Sequence, residues 1–124
     1  MINPLIAEGQ LHGGTAQGIG NAWFEQLVYD ERGHIRNANL RDYLLPIALD
    51  VPRIETGHET TPSPLNPLGI KGTGEAGAIP VGPLFAQALE DALFDRDFEI
   101  LEIPLDPSRL WETLRRSKAK RVAG

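Results

Sequence analysis

The residue best suited to do chemistry is Glu75, which stands in the run KGTGEAG from Lys71 to Gly77. The three glycines of this run let a ligand approach the main chain closely, and the prolines before it stiffen the approach. An acid flanked by glycine and alanine has few neighbouring side chains to solvate it. Enclosure by a cofactor or another domain would therefore suit Glu75 to act as a general base. The alternative is an exposed loop glutamate, the usual situation of an ionised carboxylate.

A second candidate is the stretch GGTAQG, which spans residues 13 to 18. Glycines, a hydroxyl and an amide near the start of a helix can bind a polar or anionic cofactor through backbone N–H groups. The alternative is close packing of the helix, because glycine on one face lets another element approach. The candidate residues of this stretch are Gly13, Gly14, Thr15 and Gln17.

The same glutamate run also fits the dinucleotide-binding pattern G-x-G-x-x-G, as GTGEAG. A helical pattern follows it, and Asp97 lies at about the distance that such a unit requires. Against this interpretation, prolines leave only Leu68 to Lys71 for the strand that should lead into the phosphate loop. A nucleotide-binding module stays open as an alternative.

Composition excludes several classes of protein. A length of 124 residues suits one domain, and 12 basic against 17 acidic residues lack the basic field of a nucleic-acid binder. The absence of cysteine excludes disulfides and thiolate metal sites, and three widely spaced histidines indicate no protein-only metal site. No apolar run reaches the length of a membrane span, so we expect a cytoplasmic protein. The basic run from Arg115 to Arg121 is interpreted as a solvated helix end.

The elements that must position these residues form an α+β outline with about three main helices and mixed short strands, in a single domain of residues 1–124. Apolar spacing predicts helices over Gly13 to Val28 and over Val81 to Leu93. Asp106 followed by Pro107 predicts the start of a last helix with a buried stripe. The remaining predictions are a turn at Gly33, a turn or short helix at Asp42 to Leu45, strands over Arg53 to Glu59 and Phe98 to Leu105, and an irregular loop over Thr60 to Ile79.

Four motifs, in order along the chain, resemble the xanthine dehydrogenase and aldehyde oxidase family. They are GQLHGGTAQGIG at 9–20, DYLLP at 42–46, TPSPLNPLGIKGTGEAG at 61–77 and PLDPSRLW at 104–111. More narrowly, they resemble the bacterial branch that includes the large subunit of aerobic carbon monoxide dehydrogenase. The resemblance implies a C-terminal part of the molybdopterin-binding subunit, in its second molybdopterin-binding region, and hence a partial domain.

The resemblance also implies roles for individual residues. Glu75 would be the active-site base, taking a proton from a molybdenum-bound hydroxyl that attacks an electron-poor carbon, with a copper-bridged variant in the carbon monoxide enzymes. Gln17 would contact the pterin through its amide, with Gly13, Gly14 and Thr15 beside it. Thr73 and Gly74 would line the same site through their backbone.

The cofactor implied is molybdenum-molybdopterin in its cytosine dinucleotide form, shared with the remainder of the subunit. Iron–sulfur and FAD partner subunits and a small-molecule substrate are implied as well, with no nucleic acid and no membrane span. The chain is then part of a molybdenum-dependent oxidoreductase, either as a natural split subunit or as a truncation. We do not expect the chain to be active alone. The alternative to this function, besides the nucleotide-binding module, is a noncatalytic remnant.

Overall fold

The computed structural model describes residues 1–117, and these form three α-helices and one π-helical segment. Helix α1 spans Pro4–Ile19 and continues directly into the π-helical segment Gly20–Phe24. Helix α2 spans Val81–Ala92, and helix α3 spans Pro107–Arg116. Turns and extended segments make up the long connection between the π-helical segment and α2. The predicted irregular loop over Thr60 to Ile79 lies in this connection and contains no helix or strand.

Helix α1 begins at Pro4 rather than at the predicted Gly13. The Asn3 side chain accepts a hydrogen bond from the Ile6 N–H at 3.2 Å, and a proline in the first turn has its φ already set for a helix. This cap gives the helix an earlier start, so the glycines at 13 and 14 lie in its interior. The GGTAQG stretch therefore presents a helix face and not a helix N-terminus.

The core is small and lies where α1 and α2 meet. Ile19, Ala22 and Val81 are buried there, with Phe85 packed against them. A Cβ atom at Gly18 would lie 2.6 Å from the Val81 Cβ, so only glycine permits this approach of the two helices. The prediction that glycine on α1 serves close packing is confirmed at this position.

The expectation of mixed short strands is not confirmed. Residues 1–117 contain no strand, and an isolated antiparallel β-bridge joins Tyr29 to Ile35. A strand needs a neighbour that accepts and donates its backbone hydrogen bonds. In Arg53–Glu59 no backbone group pairs within the described residues, and in Phe98–Leu105 the Leu105 N–H alone bonds to another backbone group, the Ala22 carbonyl. Apolar β-favouring sequence at these positions therefore stays extended without forming a sheet.

Two local predictions are confirmed and one is wrong. Gly33 has a φ of +81°, as its turn requires, and Asp106 caps α3 by accepting from the Ser108 N–H at 2.7 Å. The predicted buried stripe on α3 is absent, since Trp111 is 57% exposed and no residue of that helix is buried. Arg115 lies over the Trp111 ring, 4.6 Å from its centroid. Of the basic run, residues 118–121 lie outside the described residues.

The chain leaves much of its apolar surface uncovered. Its solvent-accessible area is 10037 Å², whereas a compact monomer of 13.6 kDa exposes about 6,600 Å². Leu49 and Leu65 are each 92% exposed. Other large apolar side chains at least three-quarters exposed are Ile2, Leu5, Leu40, Leu68 and Leu101. No helix of the described residues is long and apolar enough to cross a membrane.

Candidate functional site

The turn that carries Glu75 is seated on helix α1 through Gly77. We call residues 73–79 the Glu75 turn. Gly77 is buried, and a Cβ atom there would lie 2.5 Å from the Leu11 carbonyl oxygen and 3.1 Å from the Thr15 nitrogen. The Thr15 hydroxyl Oγ1 donates to the Gly77 carbonyl oxygen at 3.3 Å. The main chain of the turn thus rests directly on the main chain of α1.

Gly14 completes this contact from the side of the helix. A Cβ atom at Gly14 would lie 3.1 Å from both the Ala78 nitrogen and the Gly77 Cα. Side chains at either glycine would separate the two backbones. Of the residues predicted for a site, the structure therefore brings Gly14 and Thr15 against the Glu75 turn, across 62 positions of sequence.

Within the turn, hydrogen bonds fix the backbone and leave the carboxylate exposed. The Glu75 carbonyl oxygen accepts from the Ala78 N–H at 3.0 Å and from the Ile79 N–H at 3.2 Å, while the Thr73 carbonyl accepts from the Ala76 N–H at 3.3 Å. The Glu75 residue is exposed, and its carboxylate makes no hydrogen bond with the described residues. The carboxylate is available to a molecule bound beside the turn.

Several backbone donors next to Glu75 are also available. Among residues 1–117, the N–H groups of Gly72, Thr73, Gly74 and Glu75 donate no hydrogen bond. A Cβ atom at Gly72 or Gly74 would meet nothing within 4 Å, so a bound group can approach this backbone closely. Exposed consecutive N–H groups suit a polar or anionic ligand.

Gly13 and Gln17 lie one helical turn apart on an open face of α1. Both are exposed, and a Cβ atom at Gly13 would meet nothing within 4 Å. Residues four apart share a helix face, so the open backbone at Gly13 and the amide of Gln17 face the same space. The Gln17 amide makes no hydrogen bond to the Glu75 turn within the described part of the chain.

An open groove of about 580 Å³ runs between the start of α1 and residues 58–73. Ile6, Leu68 and Ile70 give it apolar walls, and Gly72 and Thr73 line it with backbone donors. Apolar walls with a few convergent polar groups are typical of small-molecule and cofactor sites. Of the predicted site residues, Thr73 lines this groove, whereas Glu75 and Gln17 do not.

Sequence reasoning missed the residue that organises the approach to the Glu75 turn. The Asn66 side chain accepts from the Ile70 N–H at 2.9 Å and donates to the Ile70 carbonyl at 3.0 Å. Gly69, with a φ of +63°, accepts a hydrogen bond from the Ser63 N–H at 3.0 Å. The sequence signal is the run Asn66-Pro67-Leu68-Gly69, which places asparagine, proline and glycine at the first, second and fourth positions of a β-turn.

The groups whose pKa is displaced lie away from this site. The Tyr43 hydroxyl donates to Glu25 Oε2 at 2.6 Å, and this hydrogen bond is the main reason that the pKa of Tyr43 is raised. Asp30 accepts from the backbone N–H of His34 at 2.9 Å, which lowers the pKa of that carboxyl. Both interactions lie within residues 25–43, which we call the hairpin region, and not at the Glu75 turn.

The arrangement around GTGEAG differs from a dinucleotide-binding unit. No strand leads into Gly72 in the described residues, and α2 begins at Val81 instead of at Gly77. In a dinucleotide-binding unit the phosphates sit on the N-terminus of the helix that the glycine run opens. Here the run forms a turn on α1, so the structure does not favour the nucleotide-binding alternative.

Comparison with known proteins identifies similar chains. A family model described as "Molybdopterin cofactor-binding domain" matches residues 1–52. The chain is 39% identical over 111 residues to the carbon monoxide dehydrogenase large chain of Afipia carboxidovorans, a match that covers 90% of this chain and 14% of that protein. It is 40% identical over 113 residues to the xanthine dehydrogenase molybdenum-binding subunit of Escherichia coli O157:H7, covering 90% of this chain and 15% of that protein.

The fold is also similar to a solved structure. The chain superposes on quinoline 2-oxidoreductase from Pseudomonas putida 86 with a TM-score of 0.89 and 42% identity, over 95% of this chain and 15% of that one. In each comparison the chain spans about one seventh of the length of the protein it matches. The match to the solved structure covers 95% of this chain, and the family model covers residues 1–52, which include the α1 motif.

Proposed function

Because the chain belongs to the xanthine dehydrogenase and aldehyde oxidase family of molybdopterin-binding large subunits, we propose that it is the C-terminal module of a molybdenum hydroxylase large subunit. In this proposal it contributes the active-site base, Glu75, and part of the molybdopterin site. The activity belongs to the assembled oxidoreductase, and the chain is not active alone.

The observation that carries the proposal is the contact between the backbones of Gly14 and Gly77. It joins the GGTAQG motif to the Glu75 turn. The exposed Glu75 carboxylate and the available N–H donors before it therefore lie beside the exposed face of α1 that carries Gln17. A general base has to lie within hydrogen-bonding reach of the proton that it accepts. A seat made of two glycines holds the base near the bound cofactor without intervening side chains.

The contacts also indicate different roles for the predicted residues. Gly14 and Thr15 are occupied by the Glu75 turn, so in the proposal they position the base. Contact with the pterin from α1 is assigned to the amide of Gln17 and the open backbone at Gly13. Thr73 and Gly74 offer backbone N–H donors from the turn itself, because neither N–H is used within the described residues.

The chemistry of the protein side is proton transfer. When bound, the molybdenum cofactor supplies the two-electron redox chemistry, which no side chain of this chain can provide. Glu75 accepts a proton at a carboxylate oxygen as the substrate reacts. Glu75 lies two residues before Gly77, which rests on α1, so the carboxylate can move only a short distance. Such positioning accounts for much of the rate enhancement that a general base provides.

The exposed surface supports assembly with further protein. The accessible area exceeds that of a compact monomer of this mass by roughly 3,400 Å². Obligate interfaces bury about 2,000–5,000 Å² counted over both partners, so an excess of this size on one partner is enough for such an interface. We infer a partial domain of residues 1–124 that docks with the remainder of the molybdenum subunit in a cytoplasmic complex. In the proposal, iron–sulfur and FAD subunits accept the electrons, and the cofactor has the cytosine dinucleotide form.

The test is cofactor content in the assembled protein. We expect Gln17→Ala to weaken cofactor retention about fivefold, because one hydrogen bond is worth about 1 kcal/mol. The matched control is Gln10→Ala, which removes another exposed amide from α1. Molybdenum, pterin and cytosine nucleotide are measured per subunit after extensive dilution. Equal retention in the two variants would contradict the assignment of Gln17, and a wild-type assembly without cofactor would favour a noncatalytic remnant.

A further inference from the structure

The chain that leads into the Glu75 turn folds into a compact loop, in which the Asn66 side chain makes two hydrogen bonds to the backbone. Asn66 binds both backbone groups of Ile70, accepting from its N–H at 2.9 Å and donating to its carbonyl at 3.0 Å. The Gly69 N–H donates to the Asn66 carbonyl at 3.0 Å. We call these contacts the Asn66 clamp. They replace the neighbouring strand that an extended segment would otherwise need.

Further contacts close the ends of the same loop. The Ser63 N–H donates to the Gly69 carbonyl at 3.0 Å, and a Cβ atom at Gly69 would lie 2.9 Å from the Pro62 Cβ. The Lys71 Nζ donates to the Thr61 hydroxyl at 2.7 Å. Residues 61–71 therefore form one closed unit that ends immediately before Gly72.

Glu75 lies between two fixed points. On its C-terminal side Gly77 rests on α1, and on its N-terminal side the Asn66 clamp holds Ile70. The N–H groups of residues 72–75 donate no hydrogen bond within the described part of the chain. Because this glycine-rich span has little internal restraint, its two ends decide where the carboxylate lies.

We propose that Asn66 is a positioning residue for the base: its side chain, by clamping Ile70, fixes the conformation of residues 70–76 and so the place of the Glu75 carboxylate. This inference rests on the proposed function of Glu75. Asn66 acts through the backbone, and it has no role in proton transfer itself.

Removal of the clamp should therefore affect the chemical step more than substrate or cofactor binding. Misplacement of a reacting group by about 1 Å costs up to about a hundredfold in rate. We expect Asn66→Ala to lower kcat by about tenfold to a hundredfold, with KM and molybdenum content unchanged, since the base is needed in the transition state. Amide hydrogen exchange over residues 68–76 should become about 5- to 30-fold faster, the factor that corresponds to one or two lost hydrogen bonds.

Two further variants separate positioning from general damage. Asn66→Asp keeps an acceptor for the Ile70 N–H but loses the donor to its carbonyl, so an intermediate kcat is expected. Asn37→Ala is the matched control, because Asn37 also makes two side-chain bonds to backbone, accepting from the Val28 N–H at 3.0 Å and donating to the Gln26 carbonyl at 2.6 Å. It lies in the hairpin region, and its loss should leave kcat and exchange over residues 68–76 unchanged.

All variants are measured in the assembled enzyme, beside Glu75→Gln. A lower kcat and faster exchange in Asn66→Ala, with partial recovery in Asn66→Asp, would support the inference. Lost turnover in Glu75→Gln together with an unchanged kcat in Asn66→Ala would refute the positioning role and leave the base intact. Molybdenum content that falls in parallel with kcat would also refute it. Near-normal turnover in Glu75→Gln would instead refute the proposed function.

Discussion

Replacement of Gly77 by alanine would test whether the Glu75 turn is seated on α1. The new Cβ would lie 2.5 Å from the Leu11 carbonyl oxygen, whereas non-bonded atoms settle at about 3.5 Å or more. The turn must therefore lift from the helix by up to about 1 Å. Both nearest obstacles, at Leu11 and Thr15, are backbone atoms of a helix, so neither can move aside.

The expected cost has two parts. Overpacking of this kind costs typically about 1–3 kcal/mol in stability, and the hydrogen bond from the Thr15 hydroxyl to Gly77, worth about 1 kcal/mol, would be strained or lost. A displacement of about 1 Å at a catalytic group costs up to about a hundredfold in rate. We thus expect Gly77→Ala to lower kcat by one to two orders of magnitude in the assembled enzyme.

Gly9→Ala is the matched control, because a Cβ atom on Gly9 would meet nothing within 4 Å. It lies in the same helix, where alanine is favoured over glycine by up to about 1 kcal/mol. Turnover, molybdenum content and the thermal midpoint are measured for both variants. Native turnover and an unchanged midpoint in Gly77→Ala would refute the seating of the turn on α1.

Two further predictions concern the elements around the site. Asp106→Ala should destabilise α3 by about 1 kcal/mol, because the Asp106 carboxylate caps two backbone N–H groups, while Asp106→Asn should retain most of the cap. Hydrogen exchange at the Ser108 amide distinguishes the two variants. Equal exchange in both would argue against the cap. The pKa of Asp30 is lowered from its ordinary value of 3.8, chiefly by the backbone hydrogen bond from His34. The ionised carboxylate therefore stabilises the turn at pH values above 3.8, and this contribution is lost as the pH falls through the lower pKa of the folded state. An NMR titration of the Asp30 carboxyl should give a midpoint below 3.8, and a midpoint at or above it would contradict the assignment.

The helices were predictable where local signals agree. The amphipathic spacing after Val81 and the Asp106–Pro107 cap each gave the right start of a helix. The start of α1 was missed, although Asn3 and Pro4 together form an equally good signal. The buried stripe predicted for α3 failed because burial depends on what covers a helix, and the described chain leaves Trp111 exposed.

The candidate site was predictable in its residues but not in its contacts. Glycine spacing drew attention to Glu75 and to the GGTAQG motif, yet it could not show that Gly14 and Gly77 touch. The run Asn66 to Gly69 signals a turn, but it does not show that the Asn66 side chain binds Ile70, because those bonds exist only once the proline-rich loop has closed. The predicted strands failed for a related reason, because pairing depends on a neighbouring backbone that these residues do not provide.

The most direct test of the account is the turnover of Glu75→Gln in the assembled enzyme. Glutamine keeps the size and hydrogen-bonding ability of the side chain but cannot accept the proton, and loss of a general base typically costs about 10²- to 10⁴-fold in rate. Glu31, another exposed acid in the turn near Gly33, provides the control variant Glu31→Gln. We expect a loss of this size in Glu75→Gln with molybdenum and pterin content unchanged. Turnover close to that of the wild type and of Glu31→Gln would contradict the assignment of Glu75 as the base.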